Sequence, residues 1–126
     1  MLPVDYREER LSVTEKSGTG RPGELVQGTL EMLILKTLAL EPMHGFGVSQ
    51  RIEQTSKGVF RVNPGSLFPA LSRLERAGRI RAEWHATENN RRAKYYQLTE
   101  SGRKALKEET REWGRQIAAI ARILEA

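Results

Sequence analysis

The sequence contains no cysteine, which removes disulfides, thiolate metal ligands and cysteine nucleophiles at once. Only two histidines occur, His44 and His85, in separate predicted turns and without an obvious carboxylate partner, so no histidine-based metal or catalytic centre is expected. The HExxH, GxSxG, P-loop and GxGxxG patterns are missing as well. These absences argue against an enzyme and against a bound cofactor or metal. Long apolar runs are lacking too. The longest such segment, near Leu30 to Leu40, is broken by Glu31, Lys36 and Thr37, where a membrane span needs about 18 apolar residues in succession. No secretory leader pattern is recognisable, and the expected location is the cytoplasm. Aromatic residues are scarce, at 6% beside 38% hydrophobic residues overall. A large self-sufficient core is hard to build from that supply, so a second subunit is expected to bury part of the apolar surface.

Charge is plentiful, and it is unevenly placed. Of 126 residues, the first 56 hold 6 Lys/Arg against 8 Asp/Glu, whereas residues 57–126 hold 15 against 8. The second half is therefore basic by seven charges and the first half acidic by two. A localised positive field attracts polyphosphate through counterion release and steers encounter with it.

Along the chain, residues 1–24 are polar and rich in Gly, Ser and Thr, without a sustained period; they read as a flexible N-terminal arm. From residue 25 to about 40, Val26, Leu30, Leu33, Ile34 and Leu38 recur at helical spacing, with Met32, Leu35, Ala39 and Leu40 widening the belt. Pro42 halts that helix. Met43, His44 and Gly45 form a corner into a second helix near Phe46 to Ser56, with Phe46, Val48 and Ile52 facing inward and Gly58 as C-terminal cap. Val59 to Val62 is a minor strand or an extended connector.

A third helix starts between residues 64 and 67, capped by Asn63 or by Ser66, and it ends at Gly78. Leu67, Leu71 and Leu74 turn inward, leaving Ser72, Arg73 and Arg76 outside. Ile80, Ala82 and Trp84 then alternate with Arg81 and Glu83, and Tyr96 and Leu98 repeat the pattern on the return. The intervening loop carries turn-forming Asn89 and Asn90 beside Arg91 and Arg92, with Lys94 close by. Thr99 caps a last helix on which Leu106, Thr110, Trp113, Ile117, Ile120 and Leu124 follow at spacings of 4, 3, 4, 3 and 4. That is a heptad seam. Under three heptads do not make a stable coiled coil alone, so the seam should meet its symmetry mate and the apolar face of the first helix, Leu30 and Leu33 included.

The expected architecture is mainly α with a small β-hairpin wing (α+β). A winged helix-turn-helix occupies residues 25–98 and a dimerisation helix residues 99–126. A helix that reads duplex DNA needs a buried stripe to fix its angle and hydrogen-bond donors opposite. Residues 64–77 meet that need, with Ser66, Ser72, Arg73 and Arg76 as candidate contacts and a phosphate expected near Ser66. Pairing of Arg73 and Arg76 with Glu75 or Glu53 is the competing reading. Arg91, Arg92 and Lys94 in the wing are candidates for the DNA backbone or an adjoining minor groove.

The segments GTLEMLILKTLALEPMHGFGVSQRIEQ, NPGSLFPALSRLERAGRI and NNRRAKYYQLTESGRKAL closely resemble the PadR family of bacterial transcriptional regulators. The HGxG corner, the PGxLxPAL helix start, the LERxGxI exit and the RRxKYYxLTxxG return follow in order over about residues 26–108. The resemblance implies a homodimeric repressor on a palindromic operator of double-stranded DNA, located with the nucleoid and dimerising through its last helix packed on its first. It carries DNA contact onto Ser66 and its neighbours and onto Arg91, Arg92 and Lys94. The family's frequent tyrosine before the helix proline is Phe68 here, which loses a hydroxyl contact. In some relatives a tryptophan of the last helix stacks planar aromatic effectors, and Trp113 matches it. Trp113 then either holds a planar cation or phenol or simply fills the dimer core. A winged helix acting as a protein adaptor, or as an architectural DNA-binding protein without a ligand, is the alternative.

Overall fold

In the computed structural model, residues 27–126 are described; the expected arm at 1–24 lies outside them. The elements run α1 (Gln27–Leu40), β1 (Met43–His44), α2 (Gly45–Thr55), α3 (Pro64–Arg76), β2 (Ile80–Ala86), β3 (Arg92–Leu98) and α4 (Glu100–Glu125). The three strands form one antiparallel sheet in the order β1-β3-β2. This is a winged helix, α+β, with a long final helix.

A helix apolar on most of its circumference must be surrounded. Accordingly α1 sits at the centre, with Leu30, Ile34, Leu35 and Leu38 in a core completed by Val48 and Ile52 of α2, Leu67, Leu71 and Leu74 of α3, and Ile80, Tyr96 and Leu98 of the sheet. Its one buried polar residue among those described, Thr37, donates from Oγ1 to the Leu33 carbonyl at 2.8 Å, so burial leaves no hydroxyl unpaired.

The caps explain where the helices begin. His44 caps α2, its Nδ1 accepting from the Gly47 amide at 3.0 Å. Asn63 caps α3 through Oδ1 to the Ser66 amide at 3.0 Å, with Pro64 in the first turn. Of the two starting registers allowed by sequence, the structure takes this one. Gly78, at φ +77°, closes α3 in the left-handed conformation glycine adopts freely. Thr99 then binds two elements together: its Oγ1 donates to the Gly78 carbonyl at 2.7 Å and accepts from Gly102 at 3.0 Å. The joint is tight, because a Cβ at Gly102 would collide with the Arg79 carbonyl.

Of the two readings open for residues 59–62, the structure takes the extended connector, with Val59 exposed. Three expectations are corrected. The third strand is Met43–His44, expected as a bare corner; it pairs Met43 with Tyr96 and His44 with Tyr95, which lets Met43 enter the core. Phe46 is 61% exposed instead of facing inward, because α2 starts at Gly45 and thereby turns Phe46 away from the Val48/Ile52 stripe. Trp84 is 56% exposed, since β2 runs on past the point where the core ends at Ala82.

Candidate nucleic-acid interface

On α3, burying Leu67, Ala70, Leu71 and Leu74 leaves the opposite face to Gly65, Pro69, Ser72 and Arg76, all exposed and spaced by 4, 3 and 4 residues. Ser66 is half-buried on the flank, with its amide already taken by the Asn63 cap. Ser72 and Arg76 lie at the middle and the end of the open face. No ion pair among the described residues engages Arg76.

Arg73 is placed differently. Its Nε donates to Glu31 Oε2 of α1 at 2.6 Å, with side chains 34% and 18% exposed. Local pairing was one of the two readings open to it, but the partner is neither Glu75 nor Glu53. Only the packing of α1 on α3 brings Glu31 within reach.

The wing is β2 and β3 in register from Ile80 opposite Leu98 to Ala86 opposite Arg92. Its turn closes with the Thr87 amide donating to the Arg91 carbonyl at 2.7 Å and Asn90 at φ +61°, a conformation that asparagine tolerates well. Arg91 is exposed at this tip, and the Arg92 guanidinium lies over the Trp84 ring at 5.0 Å. Lys94 is further in, paired with Trp84 across the strands, its Nζ 3.4 Å from Glu75 Oε1 and 5.6 Å from the Tyr96 ring centre. Burial pushes the Tyr96 hydroxyl above its ordinary pKa; Lys94 opposes that rise and Glu75 adds to it.

Two aromatic features were missed by sequence reasoning. Trp84 was assigned to the buried face by strand alternation, a signal that gives the side of the sheet without saying how far the core extends. Phe46 meets Phe68 of α3 edge to face at 5.5 Å, a contact between side chains that lie 22 positions apart.

The proposed dimer seam divides in two. Leu30 is buried inside the protomer, and Leu33 and Leu106 are partly buried against the same core. Trp113, Ile117, Ile120 and Leu124 are 44%, 43%, 50% and 78% exposed along the outer half of α4.

With a capped helix presenting Ser72 and Arg76 beside a cationic hairpin, comparison with known proteins becomes decisive. The model of the transcriptional regulator PadR-like family matches residues 34–108. The chain belongs to this family. The regulator is 33% identical over 88 residues to a transcriptional regulator of Mycobacterium tuberculosis, covering 70% of this chain and 78% of that one. A solved transcriptional regulator from Clostridium thermocellum superposes with a TM-score of 0.71 at 26% identity, covering 76% of this chain and 93% of the other. A PadR family regulator from Eggerthella lenta gives a TM-score of 0.70 at 28% identity, over 79% and 85% of the two chains. The regulator is thus a DNA-binding protein of transcription control and not an enzyme.

Proposed function

We propose that the regulator is a homodimeric repressor that occupies a palindromic operator, with one α3 helix in each of two successive major grooves and the wings on the flanking backbone. The observation that carries this reading is the unpartnered seam of α4, where Trp113, Ile117, Ile120 and Leu124 stay open to solvent at heptad spacing. Four large apolar side chains along one stripe call for a matching stripe, and a second copy supplies it by two-fold symmetry. The half-buried Leu33 and Leu106 lie where α1 and α4 meet, and Leu30 supports them from within. Within this reading Ser72 and Arg76 face base edges, Ser66 flanks them, and Arg91 and Arg92 meet phosphates. Arg73 and Lys94, each engaged by a carboxylate, stand behind that surface.

Release by a planar aromatic effector belongs to the same proposal. Trp113 is half-exposed, and the space where Gly114 would carry a Cβ is empty to 4 Å, so two seams could leave a slot between indole rings. No helix among the described residues is long and apolar enough to cross a membrane, in keeping with a place in the cytoplasm on the nucleoid.

Footprinting on the DNA upstream of the regulator's own gene, combined with sedimentation, tests the proposal. A dimer protecting two half-sites about one helical turn apart is expected. A monomer in solution, or protection without sequence preference, would instead favour an adaptor or architectural role.

A further inference from the structure

The wing carries an exposed tryptophan for which the fold has no use. Strand alternation places Trp84 on the same face as Ile80 and Ala82, which turn toward the core, and its cross-strand neighbours on that face are Lys94 and Arg92. Lys94 reaches Glu75 of α3, so this inner face of the wing looks toward the last turn of the recognition helix, which also bears Arg76. Trp84 nevertheless remains 56% exposed, and no hydrogen bond among the described residues uses its indole N–H. One part of its ring is covered by the Arg92 guanidinium at 5.0 Å.

We infer that Trp84 and Arg92 together form a phosphate rest on the inner face of the wing, with the DNA sugar-phosphate backbone as its occupant. A guanidinium lying over an aromatic face keeps its donors, which lie in the guanidinium plane, free at the rim, and the ring holds it in a narrow set of rotamers. The fork that a phosphate needs is therefore oriented before the phosphate arrives. The indole supplies the rest of the surface: its edge packs on a deoxyribose and its unused N–H donates to a phosphate oxygen. Charge complementarity selects this occupant, because Arg92 lies over the ring, Arg91 is exposed at the tip next to it in sequence, and Arg76 is carried by the helix turn that the face overlooks. Trp84 thus acts both as a backbone contact and as a positioning residue for Arg92. The inference rests on the duplex binding proposed above.

The test uses the full chain and a fluorescently labelled operator duplex, so that anisotropy reports binding independently of tryptophan. The emission change on binding is compared between the native protein and Trp84→Phe, and the difference between them isolates Trp84. That difference should be non-zero and should titrate along the anisotropy curve. Trp84→Ala should bind about three- to tenfold more weakly, equally on operator and unrelated duplex, since a backbone contact carries no sequence information. Trp84→Phe, which keeps a ring beneath Arg92, should recover part of that loss. Arg92→Ala, which leaves Trp84 in place, should lower the salt dependence by about one phosphate equivalent. Equal emission changes in the native protein and Trp84→Phe, together with an unaltered affinity of Trp84→Ala while anisotropy still rises, would overturn the inference and leave duplex binding standing. An anisotropy that never rises would overturn the duplex binding beneath it.

Discussion

Arg73 of α3 and Glu31 of α1 are joined by a 2.6 Å hydrogen-bonded ion pair that spans 42 positions of sequence. On the other side of α3, Glu75 receives Lys94 from the wing. The helix proposed to face DNA is therefore tied on one flank to the central helix, which packs on α4, and on the other to the hairpin.

Arg73 should accordingly set the angle of α3 and read no base. Arg73→Ala and Glu31→Ala should each cost about 1 to 2 kcal/mol of stability, the value of a partly exposed charge-assisted bond. In a double-mutant cycle the two should couple by about 1 kcal/mol. Chemical denaturation gives these values, and binding to an operator library should show weakening spread over all positions. Relaxed preference at a single base pair in Arg73→Ala, with Glu31→Ala indifferent, would show Arg73 to be a reader after all.

Arg76 and the wing tip should divide the labour of binding. Arg76→Ala is expected to cost about 1 to 3 kcal/mol at one operator position, the worth of a base-edge contact. The pair Arg91→Ala and Arg92→Ala should act on every sequence alike and reduce the salt slope by about two. Competition binding at several salt concentrations separates these effects.

The seam of α4 should fail by a single charge. Ile120→Asp places a carboxylate in the proposed interface while changing nothing in the protomer core, since Ile120 is half-exposed. Sedimentation should show monomers, with helicity of the monomer retained and operator affinity lost by orders of magnitude.

Gly102→Ala should destabilise, whereas a glycine-to-alanine change within a helix ordinarily stabilises. Helix propensity favours alanine by about 1 kcal/mol, but the new methyl would strike the Arg79 carbonyl and the Leu98 side chain. A net loss of about 2 kcal/mol is expected, as overpacking costs about 1 to 3 kcal/mol or more. Gly28→Ala, in open space in the first turn of α1, serves as the control and should be neutral or mildly stabilising. Thermal unfolding of the two variants gives the comparison.

Tyr96 contributes an alkaline limit to stability. Its pKa is raised by burial above the ordinary value of 10.0, so the folded protein holds the phenolic proton more tightly than the unfolded chain. Stability from this group is complete below pH 10.0, the unfolded value, and is lost as the pH climbs through the folded one. Tyr96→Phe should flatten the fall in unfolding free energy above that pH, measured by urea titration at stepped pH values.

Much of the fold was legible because local rules and packing agree. The inward triad Leu67, Leu71 and Leu74 follows from helical spacing, the Thr99 cap from its side chain, and the hairpin turn from Asn89 and Asn90. Where a residue's role depends on how far a neighbouring element reaches, the same rules fell short. The edge strand at Met43 needed β3 beside it, Trp84 needed the limit of the core, and Phe46 needed the exact start of α2.

Periodicity and capping chemistry are properties of adjacent residues, so the linear chain by itself determined the helices, the hairpin, the basic second half and the family motifs carried between residues 34 and 108. Tertiary structure alone decided which cations stay free. Arg73 and Lys94 were drawn to Glu31 and Glu75, while Arg76 and Arg91 kept to the surface and Arg92 came to lie over Trp84. An ion pair forms wherever opposite charges are brought within a few ångströms, and that distance is set by the packing of whole elements against one another.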